Sequence, residues 1–504
     1  MANSAENDKN SKVSKELNDF EDKEQKSSKD SKGITAKKSD FGNWYQEILV
    51  KSGFIDYSDI SGCIILKPPA YFAWDAIRNY VDERLKKLGV ENVYFPLFIP
   101  EKYLIKEKEH FAGFKAEVAW VTHGGDSKLE ERLAVRPTSE TIMYVSYAKW
   151  IRSWRDLPLR YNQWNNVVRW EFKHPMPFIR GREFLWNEGH SVFATETEAL
   201  AEREPVLELY AGLLRDVLAL PYIKGQKSDK EKFAGAVASY SLEMLMPDGW
   251  AIQGPVFHYD GQNFAKGFDI TFLDKTEKMA YVYQNTYAVS MRVLGVMVAM
   301  HSDEKGLVLP PKLAHIQLVI VPILGSNNEK VLEKARELKR QLDADFRVYI
   351  DDREIYTPGY KFNEWELKGI PIRIEVGPRD LASNSVVIVR RDTGAKESAS
   401  IERLKEKISA MIEDIHNSMY NRALKFLNEH ITTVESYDEF KHVLASKGGF
   451  VQAAWCGDVE CENKIKEETG AKITNLPFEH GKLSDKCIYC GRKAEKAANF
   501  ARSY

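Results

Sequence analysis

The chain has 504 residues, of which 43% are hydrophobic and 29% charged, and a formal net charge of −2. That length suits about three domains with sizeable cores. Balanced charge excludes a global basic face, so a nucleic-acid partner needs a local one. No apolar run reaches the roughly 18 residues of a membrane helix, so no membrane partner is expected. The opening MANSAENDKNSK lacks the apolar stretch of a secretory signal. Five cysteines, four of them near the end, fit a reducing, cytoplasmic setting and a metal site better than a disulfide framework.

Residues 1–40 carry nine lysines against nine acids and few apolar groups, which predicts a disordered charged tail. Folded sequence begins near Phe41. Ile77, Val81, Leu85 and Leu88 recur at helical spacing and predict a helix over 70–88, stopped by Gly89. Val93 to Pro100 reads as an apolar strand interrupted by Pro96. Leu133 to Thr141 reads as an extended piece entering a helix, with Thr138 or Ser139 as its cap.

Val167 to Phe172 reads as a strand with Arg169 and Glu171 on one face. On the returning strand Trp186, Glu188 and His190 share a face. The loop between them, Lys173 to Gly181, is full of breakers and cations, and Arg180 and Arg182 lie around it. Arginine forks grip phosphate and carboxylate, so the unit reads as an anion site. A salt-bridged edge hairpin reads equally from the same residues. Arg292 opens an apolar helix after Gln284, either as a cap-region charge or as a buried anion ligand.

Beyond Leu307 the pattern changes. A strand at 316–321, a helix at 328–342 and strands at 347–350, 372–376 and 386–390 predict a small α/β domain. A third unit holds Cys456-x4-Cys461 and Cys487-x2-Cys490. Two close thiolate pairs suit a closed, tetrahedral, structural Zn²⁺. Four reduced thiols are the alternative.

Longer strings carry more. YFPLFIP (94–100), LAVRPTSET (133–141), VVRWEFKHP (167–175), REFLWNEGH (182–190), GQNFAKGFDI (261–270), GLVLPP (306–311) and NEWELKGIP (363–371) stand in order along the chain. Together they resemble the signature motifs of class II aminoacyl-tRNA synthetases, and in wording the prolyl-tRNA synthetases of the archaeal and eukaryotic type. The resemblance covers about residues 41–504.

It implies an α/β fold class. An α+β catalytic domain, an antiparallel sheet flanked by helices, is expected over 41–305. An anticodon-binding α/β domain follows over 306–412, and a zinc-binding C-terminal domain over 413–504. The implied activity joins L-proline to ATP, giving prolyl-adenylate and pyrophosphate, and moves it to the 3′ end of tRNA(Pro). Mg²⁺ with ATP, structural Zn²⁺ and a homodimer come with it. Arg169 is expected at the α-phosphate and the amino-acid carboxylate, Arg292 at the γ-phosphate, and Arg180 at the phosphates or adenine. Glu171 and Gln284 are expected in the adenine and ribose region, with Phe184 stacked on adenine. Thr138 and Glu140 are expected to bind the ammonium of proline, and Trp186, Glu188, His190, His258 and Phe264 to wall its ring. Glu171 and Asp269 are the expected metal carboxylates, and the carboxylate of Tyr504 the group reaching towards the site. Lys361, Glu364, Arg379, Arg390 and Arg391 are expected anticodon contacts.

Several positions depart from the family pattern. Pro255-Val256-Phe257-His258 replaces Gly-Thr-Ser-His; Gly181 replaces threonine, Asn187 glutamine, Ala288 glycine and Met291 a small hydroxyl residue. These changes are expected around the amino-acid and tRNA-end pocket. They leave open a paralogue with altered amino-acid choice or a non-catalytic tRNA-binding role.

Overall fold

The computed structural model describes residues 33–110, 117–171, 174–324, 328–481 and 483–504. Of the expected tail over 1–40, residues 1–32 lie outside the described residues, as do the strand-and-loop residues 172 and 173. Helix α1 (Pro68–Lys87) begins on two prolines, which need no amide donor there. It buries Ala73, Ile77, Val81 and Leu85 and stops before Gly89, whose φ is 77°. Helix α2 spans Glu140–Trp150. Helix α3 (Glu196–Asp216) starts in a capping box, where Thr195 N–H donates to Glu198 at 3.1 Å and Glu198 N–H donates back at 3.3 Å.

These helices flank a long sheet. Its strands are β1 (Glu91–Asn92), β2 (Leu159–Val168), β3 (Glu183–Phe193), β4 (Ile223–Gln226), β5 (Ala238–Leu245), β6 (Ala251–Gly261) and β7 (Tyr283–Ser290). From the C-terminal unit come β8 (Ile431–Thr433), β9 (Phe450–Trp455), β10 (Lys472–Pro477) and β11 (Lys496–Ala501). The order is β8-β9-β11-β10-β4-β5-β6-β7-β3-β2-β1. The join is antiparallel, Leu476 opposite Gln226 and Pro477 opposite Gly225. Side chains alternate along each strand, so one face packs on α3 through Val206, Leu207, Tyr210 and Leu214, and the other is free to build a site. Helix α4 (Asn263–Phe268) follows β6, α5 (Arg292–His301) follows β7, and α6 (Val459–Thr469) lies in the C-terminal unit.

A second, five-stranded sheet is formed by Leu318–Pro322, Val348–Ile350, Ile372–Val376, Ser385–Arg390 and Lys396–Ser400. Leu318, Ile320, Ile372 and Ile374 meet Val331, Ala335, Leu338 and Leu342 of the helix Asn328–Leu342. A bidentate pair, Arg391 to Asp303 at 2.6 and 2.8 Å, ties this unit to the end of α5.

Three expectations are corrected. Residues 93–97 are irregular, and only Phe98–Pro100 is a strand. The strand expected to reach residue 172 ends at Val168: Arg169 N–H still donates to Arg182 O at 2.7 Å, but Trp170 N–H turns away to Glu117 O at 2.8 Å. Ser139 does not cap α2 with its side chain, because its hydroxyl donates to Glu188 instead.

Gly189 lies opposite Tyr287 in the β3–β7 ladder, and a β-carbon there would overlap the Tyr287 ring. Gly189→Ala should cost about 1–3 kcal/mol by overpacking and lower the thermal midpoint by several degrees. Gly359→Ala, in a helix with nothing within 4 Å, should leave it unchanged or slightly raised. Thermal melts of the two variants check this.

Candidate active site

The open face of β3, β5, β6 and β7 lines a cavity of about 390 Å³. Its floor follows from pairing. Glu188 faces Ala288, His190 faces Thr286, and His258 of β6 lies across from Thr286. Thr138, Glu140, Arg169, Glu171, Phe184, Trp186, Glu188, His190, His258 and Arg292 all line it. A larger cavity of about 750 Å³ opens where residues 38–41, α5 and the α/β unit meet. It has none of these residues.

Arginines dominate one end. The Arg169 guanidinium donates to Pro137 O at 3.0 Å and lies over Phe184 and Trp186, at 5.4 and 5.2 Å from their ring centres. Such contacts hold a cation without consuming its whole fork. Arg292 donates to Ile179 O at 3.3 Å and Gln253 O at 3.4 Å. Burial, then the like charge of Arg169 and that of Arg180, pushes the Arg292 guanidinium down to about 10. Converging cations in a dry place are stabilised by an anion.

Acids dominate the other end. Glu188 accepts from Ser139 N–H at 2.9 Å, from the Ser139 hydroxyl, from Asn165 at 2.6 Å and from Gln163 at 3.2 Å. His190 Nε2 lies 3.3 Å away. Burial pushes this carboxyl up, but the His190 contact and the Ser139 and Asn165 donors outweigh it and hold it well below the usual carboxylate range. Its lone pairs are therefore spent on the protein. Glu140 accepts from the Thr138 hydroxyl and is the carboxylate better placed to receive a cationic ligand. His258 Nδ1 lies 2.8 Å from Ser239 Oγ, and its ring packs 4.8 Å from Phe233. Burial, then the Lys227 charge, holds this imidazole down at about 3, so it is neutral.

Other expected residues fall outside the lining. Gln284 is fully buried and not among the lining residues, and its amide has no hydrogen-bond partner among the described residues. Phe264 stands behind Phe233, centres 6.1 Å apart. Arg180 lines a separate small cavity with Gly181 and Met291, although its charge reaches Arg292. Asp269 is the exposed cap of α4, away from the site. Tyr504 donates to Asp248, and its N–H to Ala251 O at 3.1 Å, beside Trp250.

The departures divide. Val256 and Ala288 are paired neighbours in the lining. Asn187 points to the opposite face, where Tyr210, Asn162 and the Val289 N–H hold it in the core. At Gly181 a β-carbon would sit 3.1 Å from Glu183 O and 3.3 Å from Gly62 O, so a side chain there is crowded by backbone. Sequence reasoning missed Gln253, Phe233 and Lys227, which line the cavity. Alternation from Val256 and His258 would place Gln253 on the opposite face, and a register shift in the β5–β6 ladder brings it to the lining; the other two sit in a loop without periodicity.

Of the expected anticodon contacts, Lys361 is buried and donates to Asp351 O at 3.0 Å. Arg390 is paired with Asp392 and Asp414, Glu364 with Arg353 and Lys368, and Arg391 with Asp303. Arg379 has no such ion pair among the described residues.

The four cysteine sulfurs lie within 4.8 Å of one another. Cys456 to Cys461 is 3.6 Å and Cys456 to Cys490 3.7 Å. A tetrahedral zinc with sulfur at about 2.3 Å sets sulfurs about 3.8 Å apart, so the cluster fits that ion.

Family models match three stretches: "tRNA synthetase class II core domain (G, H, P, S and T)" over 114–301, "Anticodon binding domain" over 317–411 and "Prolyl-tRNA synthetase, C-terminal" over 437–504. The chain is 50% identical over 473 residues to the "Proline--tRNA ligase 2" of Bacillus thuringiensis subsp. konkukian, covering 94% of this chain and 99% of the relative. It is 47% identical over 472 residues to that of Clostridioides difficile, covering 94% and 98%. It is 47% identical over 471 residues to the "Proline--tRNA ligase" of Alkaliphilus oremlandii, again covering 94% and 98%. An antiparallel sheet carrying an arginine-and-carboxylate cavity, three consecutive family matches and relatives at half identity over nearly the whole length lead to one conclusion: the chain belongs to the prolyl-tRNA synthetases of the class II aminoacyl-tRNA synthetase family.

Proposed function

We propose that this chain activates L-proline with ATP and transfers it to tRNA(Pro). The observation that carries the reading is one cavity with guanidinium groups at one end and an available carboxylate at the other. The proline carboxylate attacks the α-phosphorus, the bond to the β-phosphate oxygen breaks, and pyrophosphate leaves. The terminal tRNA hydroxyl then attacks the carbonyl of the mixed anhydride and AMP leaves. Both steps need alignment and neutralised charge more than a protein nucleophile.

Roles follow from position. Arg169 takes the α-phosphate and the amino-acid carboxylate, Arg292 the distal phosphates, with Arg180 adding its field. Phe184 offers a flat face to adenine. Glu140 with Thr138 receives the ammonium, and Trp186, His190 and neutral His258 wall the ring. Glu188 fixes this wall through Ser139, Gln163 and Asn165. Glu171 on the lining supplies the hard oxygen ligand that Mg²⁺ prefers. Mg²⁺ would supply charge neutralisation at the phosphates.

Zn²⁺ in the four-cysteine cluster is read as structural, because four protein sulfurs leave no open position. The residues 41–305, 306–412 and 413–504 are read as catalytic, anticodon-binding and zinc domains. A homodimer is supported by Tyr94, 74% exposed, with Phe98, Trp120 and Trp170 also exposed around the small sheet of Phe98–Pro100, Trp120–Gly124 and Ser127–Val135. Assignment to the archaeal and eukaryotic type rests on the motif strings and the cysteine-bearing C-terminal unit; the relatives compared are bacterial. A cytoplasmic setting is supported by cysteines grouped as a metal site rather than as disulfides; no described helix is long and apolar enough to cross a membrane.

Proline-dependent ATP–pyrophosphate exchange tests the reading; exchange led by another amino acid would redirect it to altered specificity at Val256 and Ala288. Arg292→Ala should lower exchange by about 10²–10³-fold with the melting profile retained. Chelation should remove one Zn²⁺ per chain and lower the midpoint of the C-terminal unit, read by metal analysis and calorimetry.

A further inference from the structure

The loop 227–237 walls the amino-acid end of the cavity through Glu231, Phe233 and Ala234. It has neither helix nor strand of its own. On its inner side the catalytic domain holds it: Phe233 N–H donates to Ser239 Oγ at 3.0 Å, and the Phe233 ring packs on His258.

On its outer side the C-terminal unit holds it, three times over. Lys227 Nζ donates to Thr474 O at 2.7 Å as well as to Glu243 at 2.5 Å. Ser228 Oγ donates to Glu462 Oε1 at 3.0 Å. Lys472 Nζ lies 3.0 Å from Glu231 Oε2. Lys227, Ser228 and Glu462 are buried. Thr474 and Lys472 belong to β10, the strand that pairs with β4, and β4 leads directly into the loop. Glu462 follows Cys461 on α6.

None of these contacts touches the reacting atoms. A buried hydroxyl–carboxylate bond and a buried lysine costly to desolvate are specific placements, not surface chance. A loop without its own ladder takes its shape from what brackets it. Here the bracket on one side is another domain.

We propose that Glu462, Ser228 and Lys472 are positioning residues for the amino-acid pocket. Through them the C-terminal unit sets the shape of the 227–237 loop and with it the affinity for proline. This inference rests on the proline reading above. The test is ATP–pyrophosphate exchange by the full chain, with KM measured separately for proline and ATP, beside thermal melts. Glu462→Ala and Lys472→Ala should each raise KM for proline about tenfold, leaving KM for ATP and kcat within about twofold. Glu462→Gln, which keeps an acceptor for Ser228, should restore KM for proline close to the wild-type value. An unchanged KM for proline in Lys472→Ala and Glu462→Ala overturns the inference. So does a parallel loss in kcat, both KM values and melting temperature, which marks mere scaffolding. Should Glu462→Ala fail to fold, the partly exposed Lys472→Ala decides alone. Wild-type protein that exchanges with another amino acid overturns the proline reading instead, and the same KM comparison is then made with that amino acid.

Discussion

Like charge gathered on half-buried guanidinium groups is the constraint around which this protein is built. Arg292 is pushed down by burial and by Arg169 and Arg180, yet the fold holds all three near one another. Charge drawn out of water is costly, so something must supply rigid support. Backbone carbonyls do so: Pro137 for Arg169, and Ile179 and Gln253 for Arg292. Aromatic faces do the rest. Those carbonyls are in place only because α5 starts at Arg292, β2 ends at Val168 and the loop returns through residue 179. A polyphosphate would be the chemical complement of that arrangement.

The acidic end shows the opposite logic. Glu188 has so many donors that it acts as a knot joining β2, β3 and the entry to α2. Glu140, one turn away, has the Thr138 hydroxyl. Two carboxylates of like chemistry thus differ in how their lone pairs are spent, those of Glu188 on many protein donors and those of Glu140 on fewer. Neutral His258 adds a wall without adding charge, which keeps a cationic amine from being repelled.

Much of this was legible in the sequence because local rules were strong there. The α1 register, the Trp186–Glu188–His190 face and the start of α5 at Arg292 all follow from periodicity and from breakers. So does the cysteine cluster, whose spacing brings four sulfurs together. What escaped depends on long-range contacts. The end of β2 is decided by Glu117, more than 50 residues earlier in the chain. Ser139 looks like a cap until Glu188 claims its hydroxyl. Gln284 carries a fitting side chain but is fully buried outside the lining, and Gln253, on the neighbouring strand, lines the cavity. Lys361, Arg390 and Arg391 looked like free cations, and each is spent on the protein's own acids or carbonyls.

The sheet order β10–β4 has a consequence for biosynthesis. Spatial neighbours here are separated by about half the chain. The strand that flanks β4 is made near the end, and the last residues pair with the start of β6: Ala251 N–H donates to Arg502 O at 2.8 Å, and Tyr504 N–H returns to Ala251 O. Until those residues are made, the outer edge of β4 and the start of β6 present unpaired backbone, and the catalytic sheet has an open seam. Such non-local closure is slow and exposes edges that favour association. The active-site framework is therefore complete only once segments about 250 residues downstream of β4 are in place, and removing residues 502–504 acts on the sheet that carries the site.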